Sequence, residues 1–168
     1  MSIQKGLPPI YNADSEVLIL GSFPSEESRK SGSYYSNKSN SFWNIICEYY
    51  NEPLPTNNSE KEAILLKHHI AVWDMIESWW DMIESCEIEG SSDKNIKDAE
   101  YHKASEIQAL LNQSKIKKII INGRTLDEIY KKYFGGIAMP SVAVLSTSSE
   151  NNGRKIQREQ EWRKELPC

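Results

Sequence analysis

The chain has 168 residues, of which 39% are hydrophobic and 26% are charged, and its formal net charge is -4 at pH 7. This length and apolar content suit a single globular domain over residues 1–168 with a complete core, and they exclude a disordered chain. The negative charge argues against a protein that binds nucleic acid over its whole surface, because neutralising phosphates requires a basic footprint. A local basic or amide-lined site stays compatible with it.

The sequence carries no sign of membrane insertion, export or metal binding. It has no apolar run long enough to span a bilayer, and residues 1–14 lack a signal-peptide pattern, so the expected location is the cytoplasm. Three cysteines, Cys47, Cys86 and Cys168, lie far apart without a CxxC or Cys/His ligand spacing. We therefore expect reduced thiols and no metal centre.

Apolar runs alternate with helical patterns along the chain. Strands are predicted at 16–22, 70–76, 115–123 and 141–149, and helices at 39–51, 59–69, 101–114, 124–134 and 151–166. Such alternation indicates an α/β fold with four parallel strands and helices on both faces of the sheet. Ser39 or Ser41 is a plausible cap for the first helix, and Ser59 with Glu62 has the spacing of a capping box for the second.

Ligands of such sheets bind beyond the carboxyl ends of the strands, where the loops gather. The four predicted strand ends read "GSFPSEES", "WDMIES", "NGRT" and "STSSENN", and all carry small or hydrogen-bonding residues. Gly21 would let a ligand approach the backbone closely, although a Gly-Ser-x-Pro turn needs no ligand. The hydroxyls at 146–149 suit either a phosphate site or an ordinary helix cap.

The motifs between residues 16 and 163 also follow a recognisable order. "VLILGSFPSEES" precedes "YYSNKSNSFW", then "AVWDMIES", "SCEIEGSSD", a strand ending in "NG", and "STSSEN" before the last helix. In order and spacing the chain resembles the uracil-DNA glycosylase superfamily, and within it the hypoxanthine-DNA (deoxyinosine) glycosylase branch. The resemblance implies a three-layer α/β/α sandwich with a four-stranded parallel sheet. It also implies hydrolysis of the bond between a damaged base and deoxyribose.

An enzyme of this kind must flip the nucleotide out of the duplex and hold the base by stacking and edge hydrogen bonds. By the resemblance, Tyr35 is the aromatic residue that stacks on the base, and Asn40 is the catalytic asparagine of an N-x-F-W motif, orienting water or holding the base. The alternatives are a surface tyrosine in a loop and a helix cap displaced by one residue. Phe42 and Trp43 are expected in the core or the pocket wall.

The first motif departs from related branches, which place an Asp or Asn just before the proline. Here that position is Phe23, so it offers no general base, and the catalytic role shifts to Asn40 in what we expect to be a slower enzyme. By family geometry, Gly21 and the backbone amides near Ser22 and Phe23 line the base site and stabilise the departing base.

The hexapeptide "WDMIES" occurs twice, at 73–78 and 80–85, where the family pattern needs one copy. Seven inserted residues nearly preserve the faces of a helix but reverse those of a strand, so we expect the extra copy as a lengthened helix or bulged loop after the strand. Asp74 aligns with a residue that contacts the base edge, and Asp81 is its equivalent in the second copy. Asp74 is preferred because it adjoins the strand, and Trp79 or Trp80 is expected to be exposed.

In the last motif, Ser146 and Ser148 match the family's S-T-S, while Ser149 replaces its proline, and the later asparagine is Asn151. These four residues are predicted to grip the DNA backbone. Basic residues on the closing helix either add a local positive field or belong to a solvated face: Arg154, Lys155 and Arg158. The three histidines, at 68, 69 and 102, are expected at the surface.

The sequence thus predicts a monofunctional, water-using DNA glycosylase with no cofactor, no metal and no Schiff-base lysine. The expected partner is DNA containing a deaminated base, deoxyinosine before deoxyuridine, with no membrane partner, a monomeric state and a nucleoid-associated cytoplasmic location. Two other classes stay open. One is a non-catalytic nucleic-acid-binding module of the same fold, and the other is an enzyme resembling a nucleoside hydrolase.

Overall fold

The computed structural model describes residues 2–81 and 99–168, except for the side chains of residues 2, 80 and 81. In chain order its elements are β1 (Ser2–Lys5), β2 (Val17–Gly21), α1 (Glu26–Ser31), α2 (Phe42–Tyr50), α3 (Asn58–Lys67), β3 (Ile70–Asp74), β4 (Ile76–Asp81), β5 (Ala99–Tyr101), α4 (Ala104–Asn112), β6 (Lys118–Asn122), α5 (Asp127–Phe134), β7 (Ser141–Val144) and α6 (Lys155–Glu165). Short 3-10 turns lie at Arg124–Leu126 and Ser149–Arg154. All nine predicted elements are present, with shorter bounds.

The main sheet has four parallel strands in the order β3-β2-β6-β7. The register places Leu20 opposite Trp73 on one side and Ile121 on the other. Every residue of β2 and β3 is buried, as expected of strands covered by helices on both faces. Helix α6 packs on α2, where Phe42 and Trp162 meet edge to face. The predicted three-layer α/β/α sandwich is therefore confirmed.

A second sheet, with antiparallel order β1-β4-β5, was not predicted from the sequence. Its strands have four, six and three residues, too few for a clear alternation of apolar and polar positions. The sheet packs through a small apolar cluster of Phe23, Ile76 and Trp79, separate from the main core. The "FP" turn after β2 therefore anchors the second sheet to the first.

The duplicated hexapeptide runs into this second sheet. β3 ends at Asp74, Met75 is the single connecting residue, and β4 begins at Ile76 with a register shift against β5 before Ser78. The second copy was expected as a lengthened helix or bulged loop; its first two residues, Trp80 and Asp81, continue β4 as a strand that pairs with β1. Most of the second copy, with Cys86, lies outside the described residues. Trp79 is 5% exposed and so is not a surface residue.

Two local predictions also need correction. Helix α3 is capped by Asn57, whose side chain accepts from the backbone N–H of Glu60, and not by the predicted Ser59–Glu62 pair. The capping residue lies two positions earlier than predicted, and Glu60 Oε2 also accepts from the Thr56 backbone N–H at 2.7 Å. His68 and His102 are only 17% and 10% exposed, so neither is the surface residue expected.

Cys47 is free and buried, and Cys168 is free and exposed. Within the described part of the chain, no helix combines the length and the apolar character needed to cross a membrane.

Candidate active site

The carboxyl ends of β2 and β3 bring a glycine and a carboxyl group face to face. Gly21 and Asp74 are register partners across these strands. A Cβ atom on Gly21 would lie 2.6 Å from Asp74 Oδ1 and 3.1 Å from the Tyr35 hydroxyl. The glycine is therefore required by space and not by an unusual backbone angle, since any larger residue would displace the carboxyl group. The structure joins three predicted site residues at this point.

Asp74 is the buried acid of this site. Its residue is 4% exposed, and its Oδ2 atom has no hydrogen-bond partner. Burial raises the pKa of this carboxyl from 3.8 to about 7, because the charged form loses its hydration. Near neutral pH the group is thus present both as a hydrogen-bond donor and as an acceptor.

Tyr35 lies over the same site in an unusual conformation. Its φ is 55°, in the left-handed region that residues other than glycine rarely adopt. Its ring stacks on Phe42 at a centroid distance of 4.0 Å, and its hydroxyl accepts from Asn122 Nδ2 at 3.1 Å. Burial and the nearby Asp74 raise the pKa of the phenol, which therefore stays neutral. The tyrosine is a held, half-buried wall of the site and not a loose surface side chain.

Asn122, the last residue of β6, connects three parts of the site and was not singled out by the sequence. Its Nδ2 also donates to Thr147 Oγ1 at 3.1 Å, and its Oδ1 accepts from the Thr147 backbone N–H at 3.0 Å. All three bonds are buried or partly buried, so this amide fixes Tyr35 relative to the last motif. The feature of the sequence that could have indicated its role is its position, since it is an asparagine at the end of a buried strand, in "NGRT".

Asn40 stands at the start of α2, beside the site. Its Oδ1 accepts from the Phe42 backbone N–H at 3.0 Å, so it caps the helix one residue before the expected position. The following residue, Ser41, donates its backbone N–H to the Thr147 carbonyl at 2.9 Å. The asparagine is half-exposed. The capping alternative is thus real, and it does not exclude catalysis, because a carbonyl oxygen has two lone pairs.

The loop after β7 is folded on itself by its own polar groups. Ser146 Oγ accepts from the Ser148 backbone N–H at 3.1 Å, and Asn151 Nδ2 donates to the Ser146 carbonyl at 3.0 Å. Ser148 Oγ is buried and has no partner, whereas Ser149 is exposed. Of the four residues predicted to contact the DNA backbone, the side chains of Ser146 and Asn151 are thus engaged inside the loop, and those of Ser148 and Ser149 are not.

Arg158, a residue of α6, holds this loop in place by hydrogen bonds. It is 1% exposed, and it donates to the carbonyls of Ser148 at 3.2 Å and Ser146 at 3.5 Å. It also donates to Ser41 Oγ at 2.9 Å and Asn152 Oδ1 at 3.2 Å. The solvated helix face is therefore wrong for this residue, because α6 turns it inward, and burial lowers the pKa of its guanidinium. Arg154 and Lys155 are exposed.

The first motif contributes backbone and not an acidic side chain. The Ser22 carbonyl accepts from the Ile76 backbone N–H at 3.0 Å, and Ser22 is 7% exposed. The Phe23 side chain packs in the apolar cluster under the second sheet, with the Arg29 guanidinium 5.3 Å from its ring centre. Asp74 is therefore the acid nearest to Gly21 among the described residues.

Comparisons with known proteins agree with this architecture. The family model of the uracil DNA glycosylase superfamily matches residues 8–165. A curated relative named hypoxanthine DNA glycosylase, from Methanosarcina acetivorans, is 32% identical over 160 residues, covering 95% of this chain and 96% of the relative. A second protein of that name, from Methanosarcina barkeri, is 26% identical over 159 residues, covering 95% of each chain.

The solved structures point the same way. The solution NMR structure of a Methanosarcina acetivorans protein, provisionally assigned as a uracil DNA glycosylase, superimposes with a TM-score of 0.78. It is 28% identical and covers 98% of this chain and 96% of its own. The resemblance drawn from the motifs is thereby confirmed, and the chain belongs to the uracil DNA glycosylase superfamily.

Proposed function

We propose that this protein is a monofunctional DNA glycosylase that releases a deaminated base, hypoxanthine and to a lesser extent uracil, with water as the nucleophile. The observation that carries the proposal is the buried Asp74 carboxyl: its Oδ1 lies 2.6 Å from the Cβ position of Gly21, and its Oδ2 has no hydrogen-bond partner. Such an atom is expensive to bury unless a ligand completes its bonding. The names of the two curated relatives support hypoxanthine as the base.

The base would be recognised by stacking and by its edge. Phe42 covers one face of the Tyr35 ring, which leaves the opposite face for an extruded base. The Asp74 carboxylate would accept the N1–H of hypoxanthine or the N3–H of uracil, since each base carries a ring N–H next to a carbonyl group. Asp81, the alternative, ends β4 in the other sheet opposite Ser2, which favours Asp74 for this role.

Cleavage would proceed through an oxocarbenium-like state, with the C1'–N bond breaking toward the base and a water oxygen bonding to C1'. Asn40 Oδ1 has one lone pair left after bonding the Phe42 N–H, and it would orient this water. The backbone amides near Ser22 and Phe23 would donate to the departing base. The water's proton ends on the released base or in solvent.

The loop over 146–151 would hold the phosphates beside the flipped nucleotide. Its free hydroxyls, Ser148 Oγ and that of the exposed Ser149, are suitable donors. Ser146 and Asn151 would act by shaping the loop, since both side chains already bond within it. The exposed Arg154 adds positive charge at this edge and bonds Asn151 at 3.0 Å.

The test is single-turnover cleavage of labelled oligonucleotides carrying one deoxyinosine or one deoxyuridine, with alkaline scission of the abasic product. We expect hypoxanthine release by the wild type and a loss of about 10²- to 10⁴-fold in Asn40→Ala, the usual range for a group that activates the nucleophile. Asn44→Ala is the matched control, because this exposed asparagine lies on the same helix.

Asn40→Gly separates capping from catalysis, because glycine is tolerated at a helix N-terminus at a cost of only a few tenths of a kcal/mol and supplies no side-chain oxygen to orient water. Normal stability with lost base release in this variant supports catalysis, and wild-type release limits Asn40 to capping. Release of uracil alone would correct the substrate. No release at stoichiometric, folded enzyme would favour a binding module, and cleavage of free deoxyinosine in preference to DNA would favour a nucleoside hydrolase.

A further inference from the structure

A histidine and two glutamates meet where the second sheet joins α4, and none of the three is among the residues assigned to base release. Glu77 comes from β4, His102 follows β5, and Glu106 lies in the first turn of α4. One possible ligand atom from each lies within 4.8 Å of the others, and among the described residues this is the one group of three. We propose that these residues bind a divalent transition-metal cation of the Zn²⁺ class, independently of the proposed function.

The histidine is the observation that points to a ligand. Its side chain is 10% exposed, and its Nδ1 is buried without a hydrogen-bond partner. Glu106 Oε2 lies 3.5 Å from Nδ1, and the pair does not make a hydrogen bond. A buried imidazole nitrogen left in this state costs free energy, which a bound cation would recover.

The orientation of the imidazole is fixed by its surroundings. Its ring lies 4.3 Å from the Trp73 ring, centre to centre, and its backbone N–H donates to the Met75 carbonyl at 2.9 Å. Glu106 Oε2 accepts from the Lys103 backbone N–H at 2.6 Å, which orients that carboxylate. Hydrogen bonds of this kind to ligating carboxylates are a regular feature of metal sites.

The donor set suits Zn²⁺ better than Mg²⁺ or Ca²⁺. One imidazole nitrogen and two carboxylate oxygens are ligands typical of zinc, whereas magnesium and calcium prefer oxygen alone. Zinc ligands lie about 2.0–2.2 Å from the ion, so the three atoms must draw together. Glu77 is exposed and able to rotate toward the ion, whereas the packed imidazole and the Glu106 carboxylate, which the Lys103 N–H orients, would act as the fixed ligands.

The bound ion would fasten three pieces of chain: β4, the segment after β5, and the start of α4. It would thus hold the second sheet from the side opposite β1, next to the Trp73–Met75 segment that carries Asp74. We assign it a structural role, because the site shares no residue with the proposed catalytic groups.

The experiment is a titration of Zn²⁺ against the untagged full-length chain in competition with a chromophoric chelator. Cys86→Ser and Cys168→Ser form the background, so that these thiols do not compete. We expect one Zn²⁺ per chain, a melting temperature that rises with Zn²⁺, and at least tenfold weaker binding in Glu77→Gln and His102→Gln. A tenfold excess of Mg²⁺ should not displace the zinc.

Glu52→Gln is the matched control. Glu52 contacts His68 at 2.9 Å and Lys67, so it belongs to a similar pair that lacks a second carboxylate. Its zinc affinity should equal that of the parent. Glu77 is exposed, so its variant should fold, and Co²⁺ should show the visible absorption of a four-coordinate ion in the parent alone. Three results would each contradict the proposed zinc site. They are a lack of stoichiometric zinc binding, an unchanged zinc affinity in Glu77→Gln, and zinc binding that requires the replaced cysteines.

Discussion

Asp74 and Arg158 are two charged residues buried at the same edge of the sheet, and they are treated in opposite ways. Arg158 makes four hydrogen bonds to the loop after β7 and to Ser41, with only Nε unpartnered. Asp74 keeps one oxygen with no partner, and its pKa is raised to about 7. A buried charged group whose hydrogen bonds are made within the protein stabilises the fold. A buried group that keeps an atom without a hydrogen-bond partner is suited to bind a ligand.

Replacing Arg158 by Met should have the largest effect on stability. The change leaves two buried carbonyls without their charged donor, and we expect a loss of about 3–5 kcal/mol in the free energy of unfolding. Urea unfolding measures it. Arg163→Met, an exposed arginine on the same helix, is the control and should change stability little. A loss below about 1 kcal/mol would mean that the loop holds itself, and Arg158 would lose its place in the comparison.

Asp74→Asn should increase the stability of the protein and abolish base recognition. The folded wild type binds more protons than the unfolded chain between the pKa values of 3.8 and about 7, so its stability falls as pH rises through this window. The amide does not titrate. The stability of the variant relative to the wild type should therefore increase across this pH range. At pH 8 the variant should be about 2–4 kcal/mol more stable.

The measurement is urea unfolding at several pH values, with the exposed Asp14→Asn as the control. If the stabilities of the wild type and Asp74→Asn change with pH in parallel, burial of the Asp74 carboxyl does not raise its pKa. If the carboxylate reads the base, hypoxanthine release by the wild type should also rise with pH through about 7. A flat profile would assign recognition to the neutral acid or to another group.

Gly21→Ala tests the space around the unpartnered carboxyl. Its Cβ would meet Asp74 Oδ1 at 2.6 Å, so the carboxyl must move, at an expected cost of about 1–3 kcal/mol. Base release should fall with it. Gly136→Ala is the matched control, because nothing lies within 4 Å of its Cβ position. Unchanged activity in Gly21→Ala would place the base elsewhere.

Ser148→Ala should have the smallest effect on stability, within about 0.5 kcal/mol, because its buried hydroxyl has no bond to lose. If this hydroxyl contacts phosphate, DNA affinity should fall by about 3- to 10-fold with an unchanged salt slope, since no charge is removed. Ser141→Ala, at the exposed start of β7, is the control. Equal DNA affinity in both variants would remove Ser148 from the interface.

Local patterns predicted the parallel sheet and its helices because β2, β3 and β6 each contain a run of at least three aliphatic residues, as is typical of strands buried on both faces. The resemblance assigned Gly21, Tyr35 and Asp74 to one base site, and the structure brings the three residues together at the carboxyl ends of β2 and β3. The sequence did not reveal Asn122, whose importance lies in bonds to Tyr35 and Thr147 across 87 and 25 residues of chain. Nor did it reveal the second sheet, whose pairs join residues as far apart as Ser2 and Asp81.

The sequence by itself determined the order of the main elements, the family and the side chains available at the strand ends, because these depend on local composition and motif spacing. Only the tertiary structure decided which buried polar groups have their hydrogen bonds satisfied and which do not. The sequence assigned Asp74 to the base site by resemblance and left Arg158 between a local positive field and a solvated face. The difference in their hydrogen bonding arises from partners that folding brings from elsewhere in the chain. Burial in a low-dielectric interior then fixes the arginine as part of the fold and leaves the carboxyl poised for a ligand.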